Sequence, residues 1–235
     1  MPISNPGESP RLDLSENPLY FVTDHNLTGG RSQMDVMRAA LEGGVRLVQY
    51  RDKNLPDSGF EREARAALEL CRKYGAILLL NDRVHIALGI GADGVHLGQD
   101  DMPPAEARRL LGPKAIIGWS THDRKEVLAA QEQPVDYINI GPMFATATKD
   151  HSRYGTLGPD TVLELARLSR HPFTTMGGIK RQHLRSLFSR GVETVAMVTE
   201  ISLAVDPAER VRELLAEIEA GKAEGASARA AGGVR

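Results

Sequence analysis

Eight short apolar runs, rich in β-branched residues, recur along this chain, and segments of helical periodicity lie between them. They are LYFVT (19–23), VRLVQY (45–50), AILLL (76–80), GVHL (94–97), AIIGW (115–119), DYINI (136–140), FTTM (173–176) and TVAMV (194–198). Most are too short and too continuously apolar for a sheet with one face in water. They suit parallel strands covered on both faces. In 57–73, Phe60, Ala64, Ala67, Leu68 and Cys71 form one apolar stripe. Leu184, Leu187 and Phe188 form another before Gly191, and Val211, Leu214, Leu215 and Ile218 a third in 206–219. Asp206-Pro207 reads as an N-cap with proline at the first helical position, and Asp57 and Asp123 as further caps. Eight βα units predict an α/β chain folded as a single-domain (β/α)8 TIM barrel over residues 18–220. A doubly wound open sheet is the alternative, but no G-x-G-x-x-G follows the first run.

The ends have a different character. Residues 1–17 are rich in Pro, Ser, Asn and Gly and are expected to be a flexible arm. Residues 221–235 (GKAEGASARAAGGVR) are small and polar and are expected to be a disordered tail. Composition closes several other routes. The net charge of −2 argues against a nucleic-acid-coating protein. A single cysteine excludes an intramolecular disulfide and a cysteine-only zinc cage. No apolar run approaches the ~20 residues that span a bilayer, and the first residues lack the apolar segment of a secretory signal. The expectation is a reduced, cytoplasmic protein with no membrane or nucleic-acid partner. A homo-oligomer is compatible with the sequence.

In such a barrel the chemistry gathers at the C-terminal ends of the strands. Polar and small residues collect there: Gln49-Tyr50-Arg51-Asp52-Lys53, Asn81-Asp82, Gly98-Gln99-Asp100-Asp101, Ser120-Thr121-His122, Thr146 to Lys149, Gly177-Gly178-Ile179 and Val198-Thr199-Glu200. Arg51 offers a planar fork, and Lys53 and Lys149 point charges, for phosphate oxygens. Asp82 and Asp101 offer hard oxygens of the kind that hold Mg²⁺ together with substrate phosphates. Gly177-Gly178 and Val198-Thr199 follow the seventh and eighth runs, where barrels often seat a monophosphate. One metal–diphosphate site and one phosphate site are therefore expected.

Singly, each feature has a plainer reading. Asn81-Asp82 could be a helix N-cap, Arg51 to Lys53 a solvated charge run, Gly177-Gly178 a tight turn, and Thr146 and Thr148 ordinary loop residues. His25, His85, His96 and His122 show no metal-binding spacing and read as structural or surface residues. Cys71, on a helix stripe, reads as a small packed hydrophobe. The functional reading rests on all the candidates falling at strand ends.

The strings VQYRDK, LNDRVHIALGIGADGVHLGQDD, GWSTH, NIGPMFATATK, GGI and VAMVTEI resemble the thiamine-phosphate synthase family, from about Tyr20 to about Ala220. The resemblance implies an enzyme joining 4-amino-5-hydroxymethyl-2-methylpyrimidine diphosphate to 4-methyl-5-(2-phosphoethyl)thiazole, with loss of pyrophosphate. It implies that Gln49, Tyr50, Arg51, Asp52, Lys53 and Asn81 bind the pyrimidine diphosphate and that Asp82 and Asp101 hold Mg²⁺. It further implies that Ser120 and Lys149 contact the diphosphate, while Thr146, Thr148, Gly178, Val198 and Thr199 take the thiazole phosphate. Arg51, Lys53, Ser120 and Lys149 would then be the catalytic set. The stretch Ala145 to Gly158 is long for a barrel loop and is expected to be a mobile lid. Tyr50, Ala145 and Thr199 depart from the aliphatic residue, proline and serine usual in the family. A thiazole tautomerase with His122 as acid–base group, and a non-catalytic phosphate sensor, are the rival readings.

Overall fold

The computed structural model describes residues 12–146 and 155–232. Eight parallel strands close into a barrel in chain order. They are β1 (Leu19–Val22), β2 (Leu47–Tyr50), β3 (Ile77–Asn81), β4 (Gly94–Leu97), β5 (Ile116–Thr121), β6 (Tyr137–Ile140), β7 (Phe173–Thr175) and β8 (Thr194–Met197). Tyr20 of β1 is in register with Leu47 of β2 on one side and Ala196 of β8 on the other. The helices are α1 (Gln33–Gly43), α2 (Asp57–Lys73), α3 (Val84–Ile90), α4 (Pro104–Leu111), α5 (Arg124–Ala130), α6 (Gly158–Ala166), α7 (Arg181–Ser189), the short α8 (Thr199–Ser202) and α9 (Pro207–Gly232). Among the described residues no helix is long and apolar enough to cross a membrane.

Both faces of each strand are buried, which is why the runs read as continuously apolar. Tyr20, Val22, Leu47, Ile77, Leu79, Ile116, Tyr137, Ala196 and Val198 fill the barrel interior. Their alternating neighbours, such as Phe21, Val48, Leu78, Val95, Ile117 and Ile138, pack against the helices. The stripe on α2 meets this outer layer with Phe60, Ala64, Ala67, Leu68 and Cys71 all buried. Burial pushes the Cys71 thiol pKa far up, as expected of a packed small side chain rather than a nucleophile.

The caps hold in two cases of three. Asp123 accepts from the Glu126 N–H at 2.8 Å and Asp206 from the Glu209 N–H at 3.0 Å. Asp57 is the first helical residue after Pro56, and its carboxylate pairs with Arg83 and His85 instead.

At both ends the described residues depart from the expected tails. Residues 1–11 lie outside the described residues, but Leu14 is buried and packs with the interior residues of the barrel. The Thr194 hydroxyl donates to the Leu14 carbonyl at 2.8 Å and the Asn17 carbonyl at 3.1 Å, tying the end of the arm to β8. At the other end, α9 continues through residues 221–232. Composition misleads here because small residues read as an inability to pack. Alanine-rich sequence favours helix, and Gly221 and Gly225, one turn apart, let α9 approach α7 closely. A Cβ on either would overlap the backbone of Arg185 or Ser189.

Candidate active site

The inward alternation of β2, β3, β4 and β5 brings Gln49, Asn81, His96 and Ser120 toward the C-terminal mouth of the barrel. Arg51 leaves the end of β2, and its guanidinium pairs with Asp24, which follows β1. The Arg51 backbone is held as well. Its N–H donates to Thr23 Oγ1 at 2.9 Å and its carbonyl accepts from Gln33 Nε2 at 2.8 Å. Arg51 Nε is nonetheless buried without a hydrogen-bond partner among the described residues. An orphaned guanidinium N–H is costly unless a ligand completes it.

Lys53 reaches across to Asp82, and the Asp82 carboxylate also accepts from Asn81 Nδ2 at 2.6 Å. Asp82 has φ +54°, a left-handed conformation unusual outside glycine. Its N–H still reaches the His96 carbonyl at 3.0 Å, so the turn is fixed from both sides. Asp101, in the next loop, accepts from the Gly98 N–H at 2.6 Å. Among the described residues no cluster of three His, Cys, Asp or Glu could hold a metal ion. Asp82 and Asp101 stand on adjacent βα loops, with an ammonium already resting on Asp82.

Ser120 Oγ meets His96 Nε2 at 2.9 Å, and the Ser120 carbonyl accepts from Gln99 Nε2 at 2.6 Å. Beside them, His122 Nδ1 lies 2.8 Å from Glu126, which also takes the His122 N–H.

Two members of the expected binding stretch sit elsewhere. The Tyr50 ring faces α2, with its centroid 5.0 Å from that of Phe60. Alternation along β2 turns its side chain away from the interior, so Tyr50 can offer the mouth only its main chain. The Asp52 carboxylate accepts from the Asn54 and Leu55 N–H groups at 2.8 and 3.2 Å, shaping the loop that carries Lys53.

A concavity of ≈ 400 Å³, counting solvent at its opening, lies over β7 and β8. Thr146, Gly177, Gly178, Val198 and Thr199 line it. Past β6, the Met143 N–H donates to the Met176 carbonyl at 2.7 Å and the Phe144 N–H to the Gly177 carbonyl at 2.9 Å. This pairing presses residues 142–145 onto the diglycine turn. Gly177 and Gly178 have φ +101° and +59°, and a Cβ on either would overlap the apposed segment. Thr148, Lys149 and most of the expected lid lie outside the described residues.

Asp24 is absent from the residues expected on sequence grounds. Those come from the ends of the second to eighth runs, whereas Asp24 stands at the end of the first and holds Arg51. His96, which reads as structural or surface in the sequence, lies two positions along β4 from Gly94 and faces the interior. The period of two is the signal that could have revealed it.

Residues 19–201 match the family described as Thiamine monophosphate synthase. A thiamine-phosphate synthase of Shouchella clausii is 38% identical over 204 residues, covering 86% of this chain and 96% of that protein. A putative thiamine-phosphate synthase of Geobacter sulfurreducens is 43% identical over 199 residues, covering 84% and 92%. Among solved structures, a thiamine phosphate pyrophosphorylase from Pyrococcus furiosus superposes with a TM-score of 0.80 at 30% identity, covering 88% of this chain and 98% of that one. With the match running from the first strand to the short helix after the eighth, the chain belongs to the thiamine monophosphate synthase family.

Proposed function

We infer that this protein is a thiamine-phosphate synthase, coupling 4-amino-5-hydroxymethyl-2-methylpyrimidine diphosphate with 4-methyl-5-(2-phosphoethyl)thiazole to give thiamine phosphate and pyrophosphate. The observation that carries the reading is that Arg51, Lys53, Asp82 and Asp101 follow the C-terminal ends of β2, β3 and β4, while a separate cleft lies over the ends of β7 and β8. The diphosphate belongs to the first, and the thiazole phosphate to the second.

Mg²⁺ fits the first site. Asp82 and Asp101 would hold the ion with hard carboxylate oxygens, the donor type Mg²⁺ takes together with substrate phosphates. When bound, the ion would neutralise charge on the departing pyrophosphate. The chain's own groups act alongside. Arg51, fixed by Asp24, would offer its guanidinium to the diphosphate oxygens. Lys53 exchanges its pairing with Asp82 for the diphosphate. Ser120, held by His96, donates its hydroxyl proton to the same anion, and Lys149 adds a further cation.

The bond from the pyrimidine methylene carbon to the diphosphate oxygen breaks, and the electron pair leaves with pyrophosphate. The electron-rich aminopyrimidine ring stabilises the carbon centre, and the thiazole nitrogen supplies the new electron pair. No protein base or covalent nucleophile is required. What is required is alignment of the two rings with water excluded. Thr146, Thr148, Gly178, Val198 and Thr199 supply that alignment through the thiazole phosphate.

The test is pyrophosphate release on mixing the protein with both substrates, with Mg²⁺ or with EDTA. Release that requires both substrates and the metal, with thiamine phosphate formed in step, is the expected result. No release from folded protein that still binds thiazole phosphate would overturn the reading in favour of a tautomerase or sensor.

A further inference from the structure

The barrel interior holds a continuous line of polar contacts beneath the mouth. Gln49 Nε2 donates to Tyr20 Oη at 2.7 Å. Tyr20 Oη lies 3.1 Å from Tyr137 Oη. Tyr137 Oη lies 2.9 Å from His96 Nδ1, and His96 Nε2 lies 2.9 Å from Ser120 Oγ. All five residues are buried, and they come from β2, β1, β6, β4 and β5. The line therefore crosses the barrel instead of following one strand. Its passage past β5 depends on Gly118, because a Cβ there would overlap the Tyr137 phenol.

We propose that this line is a one-way hydrogen-bond chain that fixes proton polarity at both ends of the active site, with Tyr20, Tyr137 and His96 as positioning residues for Gln49 and Ser120. The inference rests on the function proposed above.

Proton bookkeeping gives the direction. Each phenol and hydroxyl has one proton, and a neutral imidazole has one N–H. With Gln49 Nε2 donating to Tyr20, the orientation that uses each proton once along the line has Tyr20 donating to Tyr137 and Tyr137 donating to His96 Nδ1. The ring proton must then sit on Nε2, where it donates to Ser120 Oγ. Ser120 is left with its own proton for an acceptor in the mouth, and Gln49 with its Oε1 for a donor.

The substrate has complementary groups: an exocyclic amine to donate and a diphosphate to accept. Burial raises the pKa of both tyrosines far above the ordinary phenol range, so both phenols keep their protons. Neutral hydrogen bonds in a low-dielectric interior polarise one another, so both ends are set together.

The experiment has two arms. In the free protein labelled with ¹⁵N-histidine, His96 is expected as the Nε2–H tautomer between pH 6 and 8, with its signal assigned by His96→Gln. Tyr137→Phe removes the donor to Nδ1 and should lose that fixed tautomer. Tyr20→Phe, a second variant in case Tyr137→Phe fails to fold, should shift it. In the activity arm, Tyr137→Phe should lower kcat about 10- to 100-fold, the usual range for a group acting through another, with KM for the thiazole phosphate unchanged.

Combining Tyr137→Phe with Ser120→Ala should cost no more than Ser120→Ala alone. An Nδ1–H tautomer in the unaltered protein, a tautomer insensitive to both phenol deletions, or strictly additive kcat losses would overturn the proposal. The tautomer arm uses no substrate, so it judges the chain even where the proposed reaction is absent.

Discussion

The two ends of the barrel use the same residue type for opposite purposes. At the N-terminal end, Asp93 accepts from the Leu78 N–H at 2.8 Å, and Asp136 accepts from the Ile117 N–H at 2.7 Å while pairing with Arg108. Each carboxylate ties the start of one strand to its neighbour, and Leu14 closes the opening below them. Burial raises the Asp93 pKa, a cost accepted for the strand contact. At the C-terminal end, Asp82 and Asp101 hold an ammonium and a loop N–H, and neither carboxylate bridges neighbouring strands through main-chain groups. The two pairs differ in what they hold: strand main chain at one end, an ammonium and a loop N–H at the other.

The contrast can be broken by substitution. Asp101→Ala should lower turnover by at least about 100-fold, the scale of losing one electrostatic contact to a developing charge, while the thermal midpoint stays nearly unchanged. Steady-state kinetics beside a melting curve checks this, and loss of folding would make Asp101 structural. Leu14→Ala should do the reverse. It should cost about 2 kcal/mol of stability, the low end for a buried leucine, with activity per folded molecule retained, as urea titration would measure.

Asp24→Asn tests a mixed case at the upper rim. It keeps a polar side chain but no longer neutralises the Arg51 guanidinium, and should raise KM for the diphosphate substrate about 10-fold. An unchanged KM would remove Asp24 from the site. The smallest effect should come from His183, whose ring lies against Phe144 with centroids 4.2 Å apart. Burial lowers its pKa from the ordinary 6.5. The unfolded chain therefore binds the proton more readily, and the stack's contribution is present above pH 6.5 and lost as pH falls through the depressed folded value. The stability of the parent relative to His183→Phe should therefore fall in acid, as melting curves across pH would show.

Much of this architecture is legible in the sequence because burial on both strand faces leaves an apolar signature that needs no tertiary context. The runs LYFVT and AILLL sit within a residue of β1 and β3. The mouth is legible as a set of positions, since strand ends follow from strand runs. Side-chain direction is not. Tyr50 stands in one string with its neighbours, and only the observed alternation assigns its ring to the helix layer. The last turns of α9 are illegible because their stability comes from a glycine-lined approach to α7. His96 is obscured because its partners Tyr137 and Ser120 are remote in sequence.

The register of β1 has a consequence for the order of events at the ribosome. Tyr20 needs Leu47 on one side and Ala196 on the other. The first strand emerges early, but one of its edges has no native partner until nearly the whole barrel sequence has been made. At roughly 5–20 residues per second that wait is about 9–35 s. During that time an apolar edge is open to mispairing. A truncation before β8 should consequently be more than a shortened enzyme: it would be trapped in the nascent chain's most adhesive state.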